Sequence, residues 1–153
     1  SLTRAEINTF CSKSHCPVLT INKNIPIENI QTIIVPIDIS QTVKKHLYWA
    51  SFFAKKFKSK IEIVSVLNVD MKETNSLAYK NAEKIKTMLL DREINCEVKI
   101  LKAHNQLSHK VILDHIEKKH AEMVIKFVVN NTVSKINLKT SIELAYLKTK
   151  VVQ

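Results

Sequence analysis

The stretch TIIVPIDIS, Thr32 to Ser40, decides the fold. Its opening "TIIVPI" is a continuous apolar run, the pattern of a strand buried on both faces. The run breaks at Asp38, and Ser40 stands where a helix N-cap belongs. Beyond it Val43, Leu47, Ala50, Ala54 and Phe57 recur at intervals of four and three, which marks one face of a helix. A buried strand that ends on a carboxylate and turns into a helix is the opening unit of an α/β sheet.

The same alternation continues outward. "KIEIVSVLNV" (Lys60–Val69) is a second strand rich in β-branched residues. Lys72 to Arg92 reads as a long helix with Leu77, Ile85, Met88 and Leu89 inward. "NCEVKILK" alternates as a half-exposed edge strand does. Gln106 to Lys119 is a third helix, with Leu107, Val111, Ile112 and Ile116 inward, and "EMVIKFVV" is a fourth strand. Alternating strands and helices imply a mainly parallel sheet between helical layers. Thr32–Ile37 is expected at its centre, between Ile61–Leu67 and Met123–Val128, with Cys96–Leu101 at one edge. Ligands of such sheets sit beyond the carboxyl ends of the strands, where the winding reverses. Asp38 lies at that end. It can accept hydrogen bonds from a ligand there, or from the first turn of the following helix.

Composition narrows the function. At 153 residues, with 45% hydrophobic and 25% charged content, the chain has the size and balance of one folded domain. No apolar run approaches the roughly 18 residues of a membrane span. The first residues are too polar for a secretory signal, so the expected location is cytoplasmic, without a membrane partner. Glycine is entirely absent, which excludes Gly-rich phosphate loops of every standard type. The net charge of +10 raises a nucleic-acid reading. However, the lysines are scattered, no basic run is interleaved with aromatics, and arginine occurs only at Arg4 and Arg92. A solvated lysine-rich surface is the expectation, with no nucleic-acid partner.

Catalytic and metal constellations are weak. Cys11, Cys16 and Cys96 form no zinc-type pair of pairs and read as reduced thiols. His104, His109, His115 and His120 are spaced by five, six and five, so their rings do not converge as an i,i+4 pair would. They read as surface histidines, with His109 and Asp114 or Glu117 as a fortuitous ion site. No nucleophile elbow exists without glycine, and nothing argues for an enzyme. Trp49, beside Phe52 and Phe53, widens the apolar face of the first helix.

These residues resemble a known family. "IIVPIDIS…ASFFAKKFKSKIEIVSVLNV" is similar to the opening of a universal stress protein domain: apolar strand, Pro, any residue, Asp, Gly, Ser, then helix and strand. "HAEMVIKFVV" looks like its fourth strand, and "REINCEVKILKAHN" holds the place of its third strand and turn. The resemblance runs from about Ile30 to Ser141. It implies a three-layer, Rossmann-like fold with a mainly parallel five-stranded sheet in the order 3-2-1-4-5. "KSHCPVLTINKN" is similar to the close of such a domain, yet here it precedes the first strand. The resemblance therefore implies a tandem protein. Residues 1–22 would be the closing helix and strand of an upstream domain, 23–29 a linker, and 30–153 a universal stress protein-like domain.

Nucleotide-binding members carry Gly, two residues, Gly, nine residues, then Gly-Ser after the fourth strand. That spacing falls on Phe127, Asn130, Thr140 and Ser141, and only the serine survives. The missing glycines would let backbone amides approach phosphates. The resemblance carries over five vestigial contact positions: Asp38, Val66, Asn130, Thr140 and Ser141. With Ile39 where the family has Gly, Asp38 is left a local task, capping the helix or pairing with a lysine. The expected function is a non-enzymatic domain working through homodimerisation at sheet edges, or through contact with its upstream domain, with no cofactor. The alternatives are a degenerate nucleotide binder holding ATP or AMP weakly, or a cytoplasmic regulatory domain of a transporter. A helix is expected from about Thr140 and a short last strand at "KVVQ". "PVLTI" (Pro17–Ile21) is expected to pair antiparallel with that C-terminal strand, the helix Thr3–Ser12 packing nearby.

Overall fold

The computed structural model describes residues 2–16, 18–21, 27–37, 44–67, 72, 75–128 and 142–147. In chain order the elements are α1 (Arg4–Lys13), β1 (Val18–Thr20), β2 (Thr32–Pro36), α2 (Lys44–Phe57), β3 (Lys60–Leu67), α3 (Leu77–Leu90), β4 (Cys96–Lys102), α4 (Ser108–Lys119), β5 (Met123–Val128) and β6 (Ile142–Leu147). They form a six-stranded sheet in the order β1-β6-β5-β2-β3-β4. The five strands from β2 onward are mutually parallel where they pair, and β1 joins β6 antiparallel. β2 is central between β3 and β5, and β4 lies at an edge, as its alternating pattern implies.

Both faces of the central strands are covered. Ile33 and Val35 meet Leu47, Ala50 and Ala54 of α2, with Ala82, Ile85 and Leu89 of α3 in the same core. Ile34, between them on the opposite face, packs with Val64, Val124, Ala121 and Ile116 of α4. All three β2 side chains are fully buried. Each contributes roughly 1.5–3 kcal/mol, which is why the strand reads as one apolar run. Glu122 accepts the Thr32 amide at 2.9 Å, and the buried Ser59 hydroxyl donates to the Ile30 carbonyl. These contacts fix the amino ends of the strands.

The helices correct several expectations. α3 begins at Leu77, where Ser76 accepts the Tyr79 amide at 3.1 Å, and not at Lys72. Its inward residues are Ala78, Ala82, Ile85 and Leu89, while Leu77 and Met88 are exposed. Small alanines allow the helix to lie close on the sheet, and the larger pair falls outside that stripe. On α4, Leu107 is the exposed N-cap, and His115 and Ile116 are the buried residues. The helix expected from Thr140 is replaced by β6, since Ile142–Leu147 lies between β5 and β1. The sequence of β6 favours a helix, but two neighbouring edges that need partners outweigh that propensity. β1 does pair antiparallel, but with β6, the last strand among the described residues, in the register Leu19↔Leu144; the expected partner "KVVQ" lies outside the described residues. α1 packs against β6, started by a reciprocal capping box between Thr3 and Glu6. No disulfide joins Cys11, Cys16 and Cys96, and burial pushes the Cys96 thiol up to about 11.

Without glycine, left-handed positions fall to other residues. Lys58, Glu93 and His120 follow α2, α3 and α4 with φ of 55°, 61° and 52°. A side chain in that conformation costs roughly 1–2 kcal/mol, partly offset by its lower entropy in the unfolded chain. Each of Lys58→Gly, Glu93→Gly and His120→Gly is therefore expected to raise stability by about 1 kcal/mol, read as a higher urea midpoint at unchanged slope.

Candidate functional site

The sheet reverses its winding between β2 and β5. Their register holds at Ile33↔Met123 and Ile34↔Val124 and is not continued beyond. Pro36 has no amide to offer a neighbour, and the Ile37 amide donates to Val64 on β3 at 2.8 Å. The carboxyl end of β2 thus stays with β3 and parts from β5, opening the sheet at the switch point. On the other side β3 and β4 remain paired to the top, where the Ala103 amide donates to Leu67 at 3.0 Å.

Of the five contact positions carried by the resemblance, the structure places Val66. It lies half-buried near the end of β3, opposite Leu101 of β4 and one strand from the opening. Asp38, Asn130, Thr140 and Ser141 lie outside the described residues, as does the proposed cap at Ser40. An apolar β3 position can offer a ligand shape but no charge.

The charged cluster is elsewhere. Glu62, 2% exposed in the first half of β3, is hydrogen-bonded to Nε2 of His115 on α4, and Nζ of Lys119 stands 3.3 Å from its other oxygen. Glu97, its cross-strand neighbour on β4, accepts Lys60 at 2.6 Å, and this contact holds its carboxyl below the usual range. Two carboxylates on adjacent strands are thus answered by Lys60, Lys119 and His115. His115 is corrected from surface histidine to buried partner. Two signals lay in the sequence: one acid inside the apolar "KIEIVSVL", and the i,i+4 spacing of His115 and Lys119. Among the described residues no group of three or more His, Cys, Asp or Glu could hold a metal, and no helix is long and apolar enough to cross a membrane.

In α2, KKHLYWASFFAKKF, paired lysines at the two ends flank a run of aromatics. Trp49, Phe53 and Phe57 pack against the core, while Tyr48 and Phe52 remain exposed.

No family model matches the sequence, and no curated protein matches it significantly. Solved structures do match. A universal stress protein from Archaeoglobus fulgidus DSM 4304 is 17% identical with a TM-score of 0.67, over 89% of this chain and 51% of that one. A putative universal stress protein from Pseudomonas aeruginosa UCBPP-PA14 is 16% identical with a TM-score of 0.64, over 93% of this chain and 56% of that one. The chain thus spans about half the length of these two structures. A further Archaeoglobus fulgidus universal stress protein, in complex with dAMP, is 14% identical with a TM-score of 0.62, over 76% of this chain and 96% of that one. At these identities the matches speak to the fold, a mainly parallel sheet with helices, and the chain has the universal stress protein fold.

Proposed function

We propose that the chain is a divergent universal stress protein domain that works through contacts along the β1–β6 side of its sheet, without tight nucleotide binding or a catalytic step. The observation that carries this reading is the substitution of all three phosphate-loop glycines, by Phe127, Asn130 and Thr140. Amides flanked by side chains do not approach a phosphate as a glycine loop does. Residues 1–22 are read as the closing helix and strand of an upstream domain of the same fold. Three features support this. β1 extends the sheet antiparallel beyond β6. Leu2, Phe10, Leu19 and Ile21 in this segment are 69%, 63%, 41% and 47% exposed, as an uncovered interface would be. The two double-length structures match more of this chain than the single-length dAMP complex does. A homodimer joined through the same edges is the other form of this contact.

The second reading is weak nucleotide binding, favoured by the opening between β2 and β5 and by the retained Asp38 and Ser141. Calorimetric titration with ATP, AMP and dAMP separates the two. The expected result is no saturable heat at micromolar nucleotide; a micromolar Kd abolished by Asp38→Ala would replace the first reading with the second.

A further inference from the structure

Independently of that reading, we propose that the outward face of α2 is a docking surface for an anionic phospholipid bilayer, on which the domain lies without crossing. Tyr48 and Phe52 are 65% and 49% exposed, and Lys55 and Lys56 are exposed beside them. At 100° per residue these four fall within about 100° of the helix circumference. The rings are braced from within. Tyr48 meets Trp49 edge-on at 5.3 Å, and Phe52 meets Trp49 at 5.9 Å and Phe53 at 5.3 Å. Outward aromatics held this way lose little freedom on entering an interface.

Charge selects the occupant. From Lys44 to Lys58 the sequence contains five lysines and no Asp, Glu, Asn or Gln, on a chain of net charge +10. A second copy would set lysines against lysines. A folded acidic partner would match the charge, but the lysine donors are freely rotating point charges and the stretch has no carboxylate or amide side chain to fix a register. An anionic bilayer asks only for positive charge and amphipathic aromatic area, and these are what the face supplies. Each lysine near such a surface adds attraction, and salt screens it.

The test uses the purified protein with phosphatidylcholine vesicles, with and without about a third phosphatidylserine. Flotation is read together with the emission of Trp49, the single tryptophan. Binding to the anionic vesicles alone is expected, with a blue shift, and release at high salt. Tyr48→Ser with Phe52→Ser, and separately Lys55→Glu with Lys56→Glu, should each lower the partition coefficient at least tenfold at unchanged far-UV signal. Three results would overturn the proposal. The first is absence of binding to anionic vesicles, and the second is binding indifferent to both variant pairs. The third is capture of poly-glutamate through these residues while vesicles are ignored.

Discussion

Replacing His115 with leucine is expected to destabilise the protein by about 3 kcal/mol, the upper end of the cost of leaving a buried polar group without its hydrogen-bond partner. Glu62 would remain in β3, 2% exposed, with Lys119 at 3.3 Å as its remaining partner among the described residues. Lys119 is 47% exposed, so solvent screens its contribution. Glu62→Leu should cost less, because the imidazole left behind lies nearer the surface, 9% exposed against 2% for the carboxyl. The double variant Glu62→Leu/His115→Leu should return to within about 1 kcal/mol of the parent, since removing both partners strands neither. For a chain of this size the His115→Leu loss corresponds to a fall in Tm of roughly 10 °C. Urea unfolding of the four proteins in one cycle measures the coupling. If the two single losses simply added in the double variant, the pair would be packing alone.

That pair also shows where sequence reading stops. The central strands were legible because burial on both faces leaves an uninterrupted mark, as in Ile33–Val35, whose side chains are all fully buried. The edge position of β4 was legible because one exposed face alternates. Helix faces were read less well where size misled. Leu77 and Met88 are large and exposed, while Ala78 and Ala82 are small and buried, so the inward stripe of α3 follows closeness to the sheet rather than bulk. A helix is the expectation at β6 because conformational preference is local, while its pairing with β5 and β1 depends on segments far away in the chain. Of the candidate ligand contacts, the family pattern could mark positions, and the missing glycines could argue against a phosphate. Neither could reveal that Glu62 and His115, 53 residues apart, meet beneath α4.

Proline in β1 is expected to open the far side of the sheet. β1 has only three residues, with Val18, Leu19 and Thr20 opposite Ala145, Leu144 and Glu143 of β6. In an antiparallel ladder alternate residues turn their amides toward the partner. Either Leu19 or the pair Val18 and Thr20 therefore donates to β6, and the other set faces outward. Proline is tolerated where the amide faces away from the ladder and disruptive where it faces in. Of Leu19→Pro and Val18→Pro/Thr20→Pro, one should behave like the parent and the other should detach β1. Losing ladder bonds worth about 1 kcal/mol each, together with the steric displacement, should raise local opening roughly 10- to 100-fold. Hydrogen exchange at residues 142–147 reads this directly, in the amides that face β1. Because α1 also packs against β6, the detached arm should uncover the strand's edge and leave it free to pair with another chain. The disruptive variant should accordingly show concentration-dependent association by light scattering, which its partner variant lacks. Equal protection of 142–147 in both variants would mean that β1 does not hold this edge, and the proposed contact along the β1–β6 side would go with it.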